Sequence, residues 1–239
     1  MRTAEFHIEE LKKIFENSDF FHVSDIFVFY QSFDAEIPKT TVNWRINTLV
    51  KIGVIQRVGR GKYKLGTGNI FSPQISSKAI RLNNLMKANF PYLNFLIWHI
   101  SEINSLSQHL INKDVYYVEV ERDAIDAVYE KLRGKYKFVL KGTINDDVFF
   151  DESQVVVRSL VTASPIQVVK KVQTITIEKL LVDLFVDKEF EFLQGNELTH
   201  IFTNAFSKYT VNTDKLLRYA SRKEKRTIIT NYINTIKRQ

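Results

Sequence analysis

Apolar residues recur at helical spacing three times in the first fifty positions. Ile8, Leu11 and Phe15 define one face of a helix over about 6–16, which Ser18 and Asp19 interrupt. Ser24 is the predicted N-cap of a short apolar helix through Ile26, Phe27, Phe29 and Tyr30. A polar break from Gln31 leads to Pro38, a residue suited to a first helical turn because the N–H it lacks has no partner there anyway. The third helix, about 38–52, places Val42, Ile46, Leu49 and Val50 on one face and stops at Gly53. Its other face carries Thr40, Thr41, Asn43, Trp44, Arg45, Asn47, Thr48 and Lys51. The pattern then changes to period two, with stretches 54–58 and 62–65 joined by Gly59-Arg60-Gly61, a turn that tolerates positive φ.

Three helices and a glycine-flanked hairpin make the winged helix-turn-helix pattern over residues 1–68, with the third helix as the expected major-groove reader. Arg45 and Asn47 have side chains that can bond purine edges in pairs, and Lys39, Thr40 and Thr41 at the helix start suit phosphates. Asn43 and Lys51 complete the groove-lining set, and Arg57, Arg60, Lys62 and Lys64 are the expected wing contacts, with Arg60 at the hairpin tip. Trp44 is read as a wedge between helix and wing in preference to a base-stacking residue.

After a turn-rich linker at 67–73, residues 75–239 alternate between strand and helix. Helices are expected at about 77–88, 101–109, 123–132 and 177–186. Strands are expected at 93–98, 115–120, 136–140, 155–161 and 168–175. The end of the chain reads as helices over 196–208, 212–220 and 222–237, the last opened by the capping-box pattern Ser221-Arg-Lys-Glu224. The fold class is therefore α+β: an N-terminal winged helix-turn-helix, then a mixed α/β domain with a helical C-terminal end.

Charge sharpens this reading. The formal net charge is +7, and its distribution is uneven. Residues 1–36 hold 8 acids and 3 bases, whereas the 65 residues from 37 to 101 hold 10 bases and no acid. A long acid-free run is what a polyanion-facing surface requires, because nearby carboxylates weaken phosphate contacts. Residues 102–207 return to 17 acids against 12 bases, and from Lys208 onward there are 9 bases and 2 acids. That basic tail reads equally as a contact for DNA or an acidic partner and as a solvated helix face.

Other chemistry is sparse. The absence of Cys excludes disulfides, thiolate metal sites and a Cys nucleophile, and it suits a reducing cytoplasm. The N-terminus has no apolar signal-peptide core, and the most apolar stretch, 92–100, is far shorter than the roughly 20 residues of a membrane span. The five His residues lack metal-ligand spacing, and no Gly-rich phosphate loop or Gly-x-Ser-x-Gly elbow occurs. Glu119 and Glu121, two apart on one strand, would share a face and could hold a metal. The Lys that an acid-x-Lys nuclease motif needs beside them is missing. Asp146-Asp147 with Asp151-Glu152 reads as a solvated acidic turn. The expectation is a non-enzymatic protein without metal or cofactor.

Three segments resemble a known family. The run from Thr41 to Tyr63 (TVNWRINTLVKIGVIQRVGRGKY) is similar to the winged segment of AbiEi-type antitoxins from type IV toxin–antitoxin (abortive infection) systems. Residues 174–184 (TITIEKLLVDL) resemble that family's Thr-x-x-Lys-x-Leu-x-Asp-Leu segment through Thr176, Lys179, Leu181, Asp183 and Leu184. Residues 215–220 (KLLRYA) resemble its Leu-x-x-Tyr-Ala/Leu helix, whereas the hydrophobic middle at 92–132 departs from the family pattern. The resemblance implies a repressor of its own operon that binds double-stranded DNA in its own promoter region and counteracts a nucleotidyltransferase-like toxin encoded nearby. Two alternatives stand beside it: a standalone winged-helix transcription regulator whose second domain binds a ligand or protein, and a metal-dependent nuclease-like enzyme targeted by the winged helix.

Overall fold

The structure is a computed structural model that describes residues 6–143 and 153–236. Contacts divide the chain into two compact units, Met1–Phe71 with Ala205–Leu216, and Ser72–Asn204 with Leu217–Gln239. The protein is α+β.

The first unit begins with helix α1 (Ile8–Phe15), strand β1 (Phe21–His22) and helix α2 (Val23–Gln31). Leu11 and Phe15 of α1 are buried. The N-cap of α2 is His22 rather than Ser24; the His22 N–H donates to the Asp25 carboxylate at 2.7 Å, so the acid three residues on closes the helix start. Pro38 caps α3 (Lys39–Lys51), whose buried residues Val42, Ile46 and Leu49 follow the i, i+4, i+7 spacing. Strands β2 (Ile55–Gly59) and β3 (Lys62–Leu65) form the hairpin, with an irregularity between Arg57 and Gly59. Strand β1, too short to announce itself by alternation, pairs with β3 through Phe21 and Tyr63, giving the sheet order β1-β3-β2.

One core gathers Leu11, Phe15, Phe21, Ile26, Tyr30, Leu49 and Ile55. Tyr30 is fully buried and donates its hydroxyl to the Phe6 carbonyl at 2.9 Å; burial pushes its pKa up to about 12. The distant segment 205–216 is tied in by Thr210, whose hydroxyl donates to the Gly53 carbonyl at 2.8 Å and accepts from the Thr67 N–H at 3.0 Å. Any side chain at position 66 would start 2.1 Å from the Gly53 carbonyl oxygen, so this close approach admits only glycine.

The second unit holds a mixed sheet of β4 (Phe95–His99), β5 (Val115–Val120), β6 (Val139–Lys141) and β7 (Gln154–Ser159) in the order β4-β5-β7-β6. The β4–β5 pair is antiparallel, and β7 runs parallel to both β5 and β6. Side chains alternate across the sheet. Phe95, Ile97, Val118, Val120, Val155 and Val157 pack with α4 (Ser77–Asn89) and α5 (Ile125–Arg133) into one core.

Expectation and structure differ at three places in this unit. The segment expected as a helix at 101–109 is a 3-10 turn, Ile100–Ser105. The strand expected at 168–175 is a hairpin of β8 (Ile166–Val169) and β9 (Val172–Ile175), because Lys170 and Lys171 both take left-handed φ. The capping box at Ser221–Glu224 does not form. Helix α8 (Thr213–Arg222) runs through Ser221, Glu224 turns left-handed at φ 59°, and α9 (Arg226–Ile236) starts after it. Thr176 does cap α6 (Ile177–Val186), accepting the Lys179 N–H at 3.4 Å. A 3-10 segment (Lys188–Leu193) and α7 (Asn196–Lys208) follow.

Candidate nucleic-acid interface

With Val42, Ile46 and Leu49 directed inward, the 3.6-residue repeat of α3 carries Thr40, Trp44, Asn47 and Lys51 to the crest of the opposite face. Lys39 and Asn43 flank the crest on one side, and Thr41 and Arg45 flank it on the other. Lys39, Thr40, Asn43, Asn47 and Lys51 are exposed, whereas Thr41 and Arg45 are half-buried. Arg45 lies back against the protein, its guanidinium carbon 4.6 Å from the centroid of the Tyr30 ring. That stacking holds a long side chain that stays half-exposed on the flank of the helix. Trp44, expected as a wedge between helix and wing, is 55% exposed, with its ring 5.5 Å from that of Phe6. It stands at the crest because position 44 lies almost opposite Ile46 and Leu49 on the helical wheel. A shallow cleft beside the start of α3 is lined by Val23, Ser24, Phe27, Lys39, Val42 and Asn43.

The hairpin divides its four bases. Arg57, Arg60 and Lys62 are exposed. Arg60 sits at the tip beside Gly61, whose φ of +68° closes the turn, and the Arg57 Nε donates to the Gly59 carbonyl at 3.2 Å. The Lys62 ammonium lies 4.5 Å from the Phe20 ring centroid. Lys64 differs: it is half-buried, donates to the Gln56 amide oxygen at 2.8 Å, and burial lowers its pKa. Of the eleven residues picked out by the sequence, Thr41, Arg45 and Lys64 are half-buried and the other eight are exposed.

The second unit holds a group of charges that the sequence did not disclose. On the sheet face opposite α4 and α5, Glu119 of β5 and Arg158 of β7 meet Lys179 and Asp183 of α6, with Asp187, Glu189 and Lys223 around them. Arg158 Nη2 is 2.7 Å from Glu119 and 3.4 Å from Asp183, and Arg158 also pairs with Glu189. Lys179 is 2.7 Å from Glu119 and pairs with Asp183 one turn along the helix; Lys223 is 2.6 Å from both Asp183 and Asp187. Neutral donors complete the set, Trp98 Nε1 to Glu119 at 2.9 Å and the Tyr219 hydroxyl to Asp183 at 2.8 Å.

Burial alone would raise the pKa of every carboxyl here. For Asp183 that push is outweighed by Lys179, Lys223 and Arg158, and for Glu119 by Arg158 and Lys179, so both lie below the usual range. Burial wins at Glu189 and Asp187, which are held above it. The network thus favours placing any proton on Glu189 or Asp187 before Glu119 or Asp183. Its bases are saturated by carboxylates, and the arrangement pins α6 and the end of α8 to the sheet. Isolated burial of a charge costs so much that these groups persist only as a set.

Glu119 and Glu121 are not brought together. Glu119 is at 1% exposure inside the network, whereas Glu121 falls just past the end of β5 and accepts from the Asn94 amide at 2.9 Å. The acids at 146, 147, 151 and 152 lie outside the described residues. Among the described residues no group of three acidic or His side chains could hold a metal ion, and no helix is long and apolar enough to cross a membrane.

Residues 41–239 match a family described as a family of unknown function, DUF6577. The chain belongs to DUF6577. The match takes in α3 from Thr41 onward, the hairpin and the whole ion network of this DUF6577 chain, while α1, β1, α2 and the first two residues of α3, Lys39 and Thr40, precede it. No curated protein matches the chain.

Proposed function

We propose that the first unit is a winged helix-turn-helix that binds double-stranded DNA, with α3 in the major groove and the β2–β3 hairpin as the wing. One observation carries the reading: the outward surface of α3 and of the hairpin tip presents Lys39, Asn43, Asn47, Lys51, Arg57, Arg60 and Lys62 to solvent, with no acid in the segment that builds it. Exposed cations supply phosphate contacts, and two amides with Arg45 on the flank supply groups able to read base edges. The protein is a non-enzymatic regulator in this reading, and its target is its own upstream region.

The resemblance of residues 41–63, 174–184 and 215–220 to AbiEi antitoxins extends the proposal to neutralisation of a nucleotidyltransferase-like toxin encoded beside it. In the second segment, Thr176 caps α6 and Lys179 and Asp183 sit in the ion network, so the motif acts as a folding determinant of the second unit. Neutralisation is tested separately, by whether co-expression of this chain relieves growth arrest caused by the neighbouring gene.

DNA binding is tested by fluorescence anisotropy of the upstream duplex against a scrambled duplex over a salt series. The expected result is preference for the upstream duplex, weakened by Arg45→Ala and Arg60→Ala, with steep loss of affinity as salt rises. Equal affinity for both duplexes, or indifference to both substitutions, refutes promoter recognition by this face.

A further inference from the structure

The β8–β9 hairpin turns at an unusual place. Val169 pairs with Val172, which leaves Lys170 and Lys171 as a two-residue loop, with φ of 47° and 67°. Positive φ at both loop positions is the type I′ turn, where Asn-Gly or Gly-Gly is expected because a Cβ crowds the backbone in the left-handed region. Two lysines have neither the side-chain amide that eases that conformation nor the missing Cβ. Local strain of this kind persists where the residue type is needed for something besides the turn.

The turn is also anchored. The Lys171 carbonyl accepts from Lys87 Nζ at 3.0 Å and from the buried Asn83 amide at 3.5 Å, both on α4, and Val172 enters the core with Leu82 and Met86. The tip is therefore seated on the flank of a thirteen-residue helix that carries no acid. Lys170 and Lys171 are exposed, as is Lys87, and among the described residues no carboxylate is bonded to any of the three. Cations gathered without counter-charge repel one another, and an anion relieves that repulsion. Lysine ammonium groups bind phosphate as point charges and read no sequence.

We propose that the β8–β9 tip and the adjoining flank of α4 form a second binding surface, one that takes backbone phosphates of duplex DNA irrespective of sequence. The choice of DNA among polyanions rests on the reading of α3 given above. The surface belongs to the second unit and adds phosphate contacts to the protein's total without adding base specificity.

The strain makes the test discriminating. In full-length protein, Lys170→Asn/Lys171→Gly supplies the residues that a type I′ turn prefers, so the melting temperature rises by a few degrees. The same variant loses two phosphate contacts. Its affinity for a scrambled duplex falls on the order of tenfold at low salt, and the log–log salt slope becomes shallower by about 1.8. Lys170→Gln/Lys171→Gln, which keeps a Cβ at both positions, shows the same loss of slope without the gain in stability, and Lys170→Arg/Lys171→Arg keeps the wild-type slope. A more stable Asn-Gly variant with an unchanged slope overturns the proposal and leaves the α3 reading intact. A wild-type protein that binds no duplex at any salt removes both. Loss of binding to phosphatidylserine vesicles or to single-stranded RNA, with duplex binding unaffected, also overturns the assignment to DNA.

Discussion

Lys39 and Lys51 on α3 stand in solvent with no carboxylate bonded to them among the described residues, while Lys179 on α6 is 1% exposed and held by Glu119 and Asp183. All three are lysines on helices, and what separates them is the helical face they occupy. An exposed ammonium keeps its hydration and its freedom, contributes little to folding, and is available to a phosphate. A buried ammonium has lost its water and must recover that loss from fixed partners, so it is bound to the fold and unavailable to a ligand. Cation count therefore says little about function until burial and pairing are known. Lys62 and Lys64, two apart on β3, show the same contrast within a single strand.

The largest effect expected from breaking this contrast is at Lys179. Lys179→Met leaves Glu119 and Asp183 short of a buried partner and destabilises the protein by about 3–5 kcal/mol in urea unfolding. Lys51→Ala, on the exposed side of the comparison, stays within about 0.5 kcal/mol of wild type. The network also sets acid behaviour. Asp183 and Glu119 lie below their usual range, so the stability they contribute is present above the unfolded pKa of about 4 and is lost as pH falls. Glu189 and Asp187, held above the range, act in the opposite sense and lower stability as pH rises through their folded values.

Trp44 gives the next effect. Because its ring is more than half exposed, Trp44→Ala should change stability by less than about 1 kcal/mol yet weaken duplex binding about tenfold, since it removes the apolar centre of the crest. Loss of folding in place of loss of binding makes Trp44 a structural residue after all.

A third kind of charge sharpens the comparison. Glu102 is 7% exposed and accepts the Gln74 N–H at 2.9 Å, and burial pushes its pKa up to about 7. A raised acid contributes its full stability below the unfolded pKa and loses it as pH rises towards 7. Glu102→Gln, unable to ionise, should match wild type near pH 4 and exceed it by about 3 kcal/mol at pH 8. Equal pH profiles for the two proteins would show that Glu102 is solvated. The smallest difference lies on β3. Lys62→Ala should reduce the DNA salt slope by about 0.9, and Lys64→Ala should leave it unchanged.

Much of the first unit was legible because its signals are local. The helical spacing of Val42, Ile46 and Leu49, the stop at Gly53 and the turn at Gly59–Gly61 all act within a few residues. Strand β1 was missed because two residues cannot show alternation, and its partner Tyr63 is 42 positions away. The outward place of Trp44 on α3 was legible from the spacing of Val42, Ile46 and Leu49, whereas its contact with Phe6, 38 positions away, was not. In the second unit the sheet residues were visible but their order was not, since strand pairing is set by tertiary packing. The 168–175 stretch looked like one strand because Lys-Lys carries no turn signal. The ion network was out of reach for the same reason as β1. Positions 119, 158, 179, 183 and 223 share no spacing, and only Lys179 and Asp183, at i and i+4, formed a readable pair.

The central claim is that the exposed cations of α3 and the wing exist to meet DNA phosphates. The most direct measurement is the salt slope of upstream-duplex binding for wild type and for Lys39→Ala/Lys51→Ala/Arg60→Ala, with melting temperatures taken in parallel. We predict a slope shallower by about 2.7 at an unchanged melting temperature. An unchanged slope in a variant that folds as well as wild type would contradict the account.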